Sequence, residues 1–198
     1  MSILDTIVKR KKEWVESQKQ LVPLSALKKA EMYQRSPLSL SSRISNGNGS
    51  GIIAEFKRQS PSKGMINAVA DVNEVTKAYS DFGAAGVSVL TDGPYFGGSL
   101  ADLSIAIQNP IPVLRKEFII DEFQLIEAKA YGASVILLIA ACLTPNTTHA
   151  LAKYAKSLGL EVLLEIHDAT ELGHISEAVD FVGINNRSLK SFDVNIEH

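Results

Sequence analysis

Four short segments carry ionisable side chains where a fold would otherwise bury apolar ones. In Gly51–Gly64, GIIAEFKRQSPSKG, the apolar run Ile52-Ile53-Ala54 leads into Glu55, Phe56 and Lys57, and a turn rich in Ser, Pro and Gly follows at once. Side chains two apart share a face of a strand, so Glu55 and Lys57 point the same way. The run Val113–Phe118 puts Leu114, Lys116 and Phe118 on one face and Arg115 and Glu117 on the other. Val162-Leu163-Leu164 is followed by Glu165, and Phe181–Asn185 runs on through Asn186 to Arg187, with Asn185 and Arg187 on one face. Burying charge is costly unless the charge is paired or used, and packing alone does not account for four strands that end this way. Lysines, glutamates, an arginine and an asparagine gathered together suit an anionic substrate and acid–base chemistry. Among cations and apolar walls a lysine can have its pKa lowered toward the working range, and in an apolar pocket a glutamate can have its raised.

The elements that must position these residues are legible as an alternation. Strand-like runs fall at Ile52–Lys57, Val87–Thr91, Val113–Phe118, Val135–Ala140, Val162–Ile166 and Phe181–Asn185. Helix-like runs lie between them at Val72–Phe82, Leu100–Gln108, Glu122–Tyr131, Thr147–Leu158 and Ala169–Ala178. Asp71, Ser99, Asp121 and Asp168 stand where helices should start. Gly83, Gly132 and Gly159 stand where helices should stop. Near-continuously apolar strands alternating with helices predict a parallel sheet covered by helices, either a closed (β/α)₈ barrel or an open doubly wound sheet. In both, the C-terminal ends of the strands hold the active site, and the polar residues above lie at those ends. Only six strand starts can be counted, whereas a complete eight-unit barrel with an N-terminal extension needs on the order of 250 residues. Residues 1–50 read as a helical extension and linker, and residues 51–198 as the barrel part. Ile3, Ile7, Val8 and Trp14 predict an amphipathic helix over about the first 20 residues. Pro23 opens a second short helix through Met32. Ser36–Gly51 reads as a polar connector, and its NGNGSG precedes a strand instead of opening a helix, which argues against a phosphate loop.

Composition narrows the function classes. The chain has 198 residues with a net charge of −2, which gives no general attraction to nucleic acid or anionic membranes. Its longest apolar run, Val135–Leu143, is too short to span a bilayer and fits a buried strand. The cluster Lys9–Lys12 has no apolar stretch after it, so no secretory signal is read. Cys142 stands alone in an apolar run and reads as a buried, inert thiol in a reducing cytoplasm. The four histidines show no metal spacing, and His167 is the one that follows a strand close to the site. Phe96, in Gly93-Pro94-Tyr95-Phe96-Gly97-Gly98 after the second strand, reads as a pocket aromatic.

EFKRQSPSKG at 55–64, VLTDGPYFGGS at 89–99, PVLRKEFIIDEFQLIEAKAYGA at 112–133, ILLIAACL at 136–143, LLEIHD at 163–168 and GINNRSLKSF at 183–192 together resemble the indole-3-glycerol phosphate synthase family. The likeness covers essentially the whole chain. It implies a TIM (β/α)₈ barrel, here with about six strands plus an N-terminal helical extension. It implies closure of the indole ring in tryptophan biosynthesis, from 1-(2-carboxyphenylamino)-1-deoxyribulose 5-phosphate to indole-3-glycerol phosphate with loss of CO₂ and water, without cofactor or metal. By the same resemblance Lys116 is the general acid on the ribulose carbonyl and Glu165 the partner acid/base in dehydration. Lys57 would hold the substrate carboxylate and share in proton transfer, while Glu55 and Asn185 orient these groups. Arg187 would hold the anthranilate carboxylate with Ser60 beside it, and Phe96 and Phe118 would pack on the ring. The family's phosphate grip follows strands seven and eight, which lie beyond these residues. The chain alone is therefore expected to be weakly active or inactive, and prone to self-association through open barrel edges. Two other readings stand beside this one: a non-catalytic partial-barrel assembly module, and another phosphate-handling barrel such as phosphoribosylanthranilate isomerase.

Overall fold

The computed structural model describes residues 3–47 and 50–186. Six strands form one sheet: β1 (Ile53–Phe56), β2 (Gly86–Leu90), β3 (Val113–Lys116), β4 (Val135–Ile139), β5 (Glu161–Ile166) and β6 (Phe181–Ile184). Each pairs in parallel with the next in chain order, and the sheet curls as part of a (β/α)₈ barrel wall. Register puts Glu55 beside Ser88, Leu90 beside Lys116, and Ile139 beside Glu165. Laterally paired residues share a face, so Glu55, Lys116 and Glu165 all face the inside of the curl. Among the described residues β1 and β6 each pair with one strand only, and Val182 and Ile184 of β6 are exposed.

Alternation gives the sheet two apolar layers. Inside, Ile53, Leu114, Phe118, Val135, Leu137, Ile139, Leu163 and Phe181 pack together. Outside, Val87, Val89, Val113, Ile136, Leu138, Val162 and Leu164 pack against helical Leu103, Leu125, Leu151 and Ala155. The helices are α1 (Ile3–Leu21), α2 (Leu24–Lys29), α3 (Glu31–Gln34), α4 (Leu40–Ser45), α5 (Val72–Asp81), α6 (Gly93–Phe96), α7 (Leu100–Ala106), α8 (Glu122–Ala130) and α9 (Pro145–Ser157). Asp71, Ser99 and Asp121 cap α5, α7 and α8 through their side chains, and Asp168 caps a 3₁₀ segment. Such caps are worth about 1 kcal/mol each. Gly83, Gly132 and Gly159 take positive φ where helices end, the conformation that costs glycine nothing and other residues much.

Four local expectations are corrected. The second helix does not run through Met32: it breaks at Ala30, whose extended backbone separates α2 from α3. The connector is not featureless, because Ser39 caps α4 and the Glu161 carboxylate receives Ser39 Oγ at 2.7 Å, Leu40 N at 2.7 Å and Ser41 Oγ at 2.5 Å. The helix expected through Ala178 is a 3₁₀ segment, Ala169–His174, held short by the local Asp168 turn. The apolar run into Leu143 leaves the sheet at Ile139, and Cys142 sits half-buried in a 3₁₀ turn. Burial nonetheless pushes its thiol up to about 12, with Glu165 and Glu171 adding to the effect, so it stays protonated.

Candidate active site

The inward residues at the C-terminal ends of β1, β3 and β5 meet at one cavity of about 360 Å³. Its walls include Glu55, Lys57, Ser60, Phe96, Lys116, Phe118, Glu165 and Asn185. Eight of the nine residues singled out from the sequence are thus brought together, and Arg187 lies outside the described residues. The volume falls within the roughly 300–1,000 Å³ usual for small-molecule sites.

An acid–base chain crosses the floor. Lys57 and Glu55, two apart on one strand face, form a close ion pair. The other oxygen of Glu55 lies 3.3 Å from Lys116 Nζ, and Lys116 lies 3.8 Å from Glu165 Oε2. Asn185 Nδ2 donates to Glu165 Oε1 at 3.0 Å. Burial acts to raise the Glu55 carboxyl, but Lys116 and Lys57 together outweigh it and hold the group below the ordinary carboxylate range. Glu55 is therefore an ionised partner for two ammonium groups. Lys116 stands between two carboxylates and stays about one-third exposed, open to a substrate on one side and to proton exchange on the other.

Phe96 and Phe118 close one side of the cavity with ring centroids 6.0 Å apart and planes tilted by 41°. Phe118 continues the inward face of β3, while Phe96 reaches the site from α6, whose start Asp92 caps. Against α6 the β1 loop folds as a small hairpin, Gln59–Ser60 against Gly64–Met65, with Gln59 Nε2 donating to the Pro94 carbonyl at 3.2 Å. Ser60 Oγ there accepts a hydrogen bond from Lys63 N at 3.2 Å. Arg58 fastens this loop with a bidentate pair to Asp102 at 2.8 and 2.9 Å.

The sequence did not single out Asp92, Glu117 and Lys63, which also line the cavity. For Asp92 the signal was present in Asp92-Gly93-Pro94, an N-cap followed by proline at the second helical position. Glu117 belongs by parity to the outer face, and only the tertiary structure shows its carboxylate at the wall. His167 is part-buried beside the site, its Nε2 3.8 Å from Glu165 and its Nδ1 3.3 Å from Glu171. Among the described residues no cluster of His, Cys, Asp or Glu is placed to hold a metal ion, and no helix is long and apolar enough to cross a membrane.

Comparison with known proteins points the same way as this geometry. The family model described as indole-3-glycerol phosphate synthase matches residues 4–198. The indole-3-glycerol phosphate synthase of Bacteroides thetaiotaomicron is 46% identical over 200 residues, covering 99% of this chain and 75% of its own. That of an Exiguobacterium species is 52% identical over 163 residues, covering 81% of this chain and 64% of its own. Among solved structures, the carboxyl transferase domain of Rhizobium etli pyruvate carboxylase aligns with 71% of this chain and 27% of its own, at a TM-score of 0.48 and 16% identity, a likeness too slight to bear on function.

Proposed function

The chain belongs to the indole-3-glycerol phosphate synthase family, and from that premise we propose that its cavity closes the indole ring in tryptophan biosynthesis as a carbon–carbon lyase. The substrate is 1-(2-carboxyphenylamino)-1-deoxyribulose 5-phosphate. Its ring carbon, the one bearing the carboxylate, attacks the ribulose carbonyl carbon; a carbon–carbon bond forms and the carbonyl π pair moves to oxygen. Lys116 protonates that oxygen. Breaking the carboxylate bond then releases CO₂ and restores the aromatic ring. Departure of the new hydroxyl as water, with loss of a proton from the adjacent carbon, gives the indole.

The observation that carries this reading is Lys116 held between Glu55 and Glu165 and facing the cavity with the two phenylalanines. An ammonium there neutralises the charge that builds on the carbonyl oxygen, and positioned acid–base help is worth about 10²–10⁴-fold. Glu165, 3.8 Å away, is in place to exchange the protons that dehydration needs. Glu55 keeps both ammonium groups oriented, and Asn185 fixes the Glu165 carboxylate. Lys57 suits the substrate carboxylate, with Ser60 and Arg187 assigned to the same end. Phe96 and Phe118 suit the anthranilate ring, and their apolar surfaces strengthen each charge interaction nearby.

The test is to incubate the protein with the carboxyphenylamino sugar phosphate and follow indole fluorescence together with CO₂ release. Indole and CO₂ released slowly and in equal amounts, with that release abolished in Lys116→Ala while substrate still binds, are the expected result. Binding without either product would favour a non-catalytic role and overturn the proposal.

A further inference from the structure

Helix α1 buries a stripe made of Ile7, Lys11 and Val15, each four residues from the next and so on one face. The middle member is a lysine, only 6% exposed. A buried ammonium is costly unless it is closely matched, and this one is matched twice. Lys11 Nζ lies 2.9 Å from Asp92 Oδ2 and 2.9 Å from Glu117 Oε1. Both carboxylates are themselves buried, at 2% and 3% exposure. Trp14, one turn along α1, places its ring 5.0 Å from the same ammonium.

What those carboxylates do next leads to the cavity. Asp92 Oδ1 accepts the Tyr95 N–H at 2.9 Å and so caps α6, which carries Phe96. Glu117 Oε1 accepts the Phe118 N–H at 2.8 Å, and its Oε2 accepts the Thr91 hydroxyl at 3.0 Å. One ammonium on the N-terminal helix thus joins the segment after β2 to the segment after β3, and each segment presents one of the two rings. With Lys11 removed, two anions held within about 6 Å of each other would repel in a poorly solvated place. Arg115, 3.9 Å from Glu117, is already engaged by Glu127 at 2.6 Å.

We propose that Lys11 is a positioning residue for the aromatic slot: by tying Asp92 to Glu117 it sets the spacing of Phe96 and Phe118, and with it the affinity for the anthranilate ring. This rests on reading the cavity as the ring-closing site. Holding a ring in both ground and transition states is uniform binding, which acts on KM more than on kcat.

The experiment compares wild type, Lys11→Met, Lys11→Arg and the double variant Lys11→Met/Asp92→Asn. KM and kcat are measured for indole formation, Kd for anthranilate as a probe of the slot alone, and the melting temperature for each. Lys11→Met is expected to raise KM and the anthranilate Kd about tenfold with kcat changed less than about threefold. Lys11→Arg keeps the charge in a larger, planar group and is expected to fall between wild type and Lys11→Met. The double variant removes one of the two repelling anions, while the asparagine side chain introduced by Asp92→Asn can still cap α6, and it recovers most of the lost affinity. It also carries the test should Lys11→Met fold poorly. Unchanged KM and Kd in Lys11→Met would overturn the inference, and so would a well-folded double variant with no recovery, which would mark Lys11 as packing only. Wild type that neither binds anthranilate nor forms indole would overturn the reading of the cavity itself, and this inference with it.

Discussion

Lys116→Met removes the ammonium while keeping an unbranched, apolar stem of similar length, and it tests the chemistry most directly. Lys116 lies 3.3 Å from Glu55 and 3.8 Å from Glu165. At an effective dielectric of about 20 those attractions are roughly 5 and 4 kcal/mol, and in water about 1 kcal/mol each. The side chain is 32% exposed, so solvent screening brings the operating values toward the lower end. The substitution has two effects. It deletes the proposed proton donor to the carbonyl oxygen, and it leaves Glu55 and Glu165 without their shared cation. Glu55, whose carboxyl Lys116 helps hold down, moves back up; Lys57 remains on it and limits the change.

The expected result is a kcat lower by about 10²–10⁴-fold, with substrate Kd changed by less than about tenfold because the ring walls and Lys57 are untouched. Steady-state indole fluorescence at saturating substrate gives kcat, and equilibrium titration gives Kd on the same samples. Lys57→Met serves as the contrast: it should weaken binding more and kcat less than Lys116→Met does. A Lys116→Met kcat within tenfold of wild type would refute the reasoning. If instead Lys57→Met were the more damaging to kcat, the two ammonium groups would have to exchange roles.

Glu161→Ala leaves the buried Leu40 N–H and the Ser39 and Ser41 hydroxyls without their carboxylate; the expected cost is about 3 kcal/mol, read as a lower urea midpoint at unchanged slope. At Gly98 an added Cβ would run into the Leu90 carbonyl, which is backbone and cannot step aside. Gly98→Ala should therefore cost about 1–3 kcal/mol in thermal melts and weaken ring binding through the displaced Phe96. Burial holds the His174 imidazole below its ordinary 6.5, with Thr148 Oγ1 2.8 Å from Nδ1. The folded protein thus refuses a proton that the unfolded chain accepts. This contribution is complete above about pH 6.5 and lost as pH falls below it, so His174→Gln should flatten the acid side of the stability profile measured by urea midpoints.

The parts of this fold that were legible in the sequence are those decided within a few residues. Asp71, Ser99 and Asp121 cap the helices they precede because a side-chain oxygen reaches an N–H two or three positions on. Glu55 and Lys57 share a face because strand parity is fixed by the backbone. By contrast, α4 is hidden in a stretch whose composition reads as loop, and it is held by Glu161, 121 residues away from Leu40. The break at Ala30 and the shortened segment after Asp168 were equally invisible to periodicity: Ala30 leaves the helix through its backbone conformation alone, and the segment after Asp168 is a 3₁₀ turn. The site was legible as a set of inward residues, whereas the roles of Asp92 and Lys11 were not. A lysine on an amphipathic helix reads as solvated until the partner carboxylates, from the segments after β2 and β3, are seen beneath it.

Strand β3 shows why the two kinds of residue belong together. Its inward side carries Lys116, and its outward side carries Arg115, fully buried, with Glu117 just beyond. Arg115 donates to the Gln124 carbonyl at 2.9 Å and to Thr91 Oγ1 at 3.2 Å, and pairs with Glu127 at 2.6 Å. Those bonds pin the strand end to α8 and β2 from behind. An acid that must meet a carbonyl oxygen within hydrogen-bond reach needs a backbone that does not drift, since a displacement of about 1 Å can cost 10²-fold in rate. Polar residues on the outward face therefore serve the inward one without touching substrate. Arg115→Met would retain apolar volume and leave the buried Glu127 carboxylate without its cation. Its damage should appear in kcat as well as in stability, because the lysine it supports from behind would lose its fixed distance to Glu55 and Glu165.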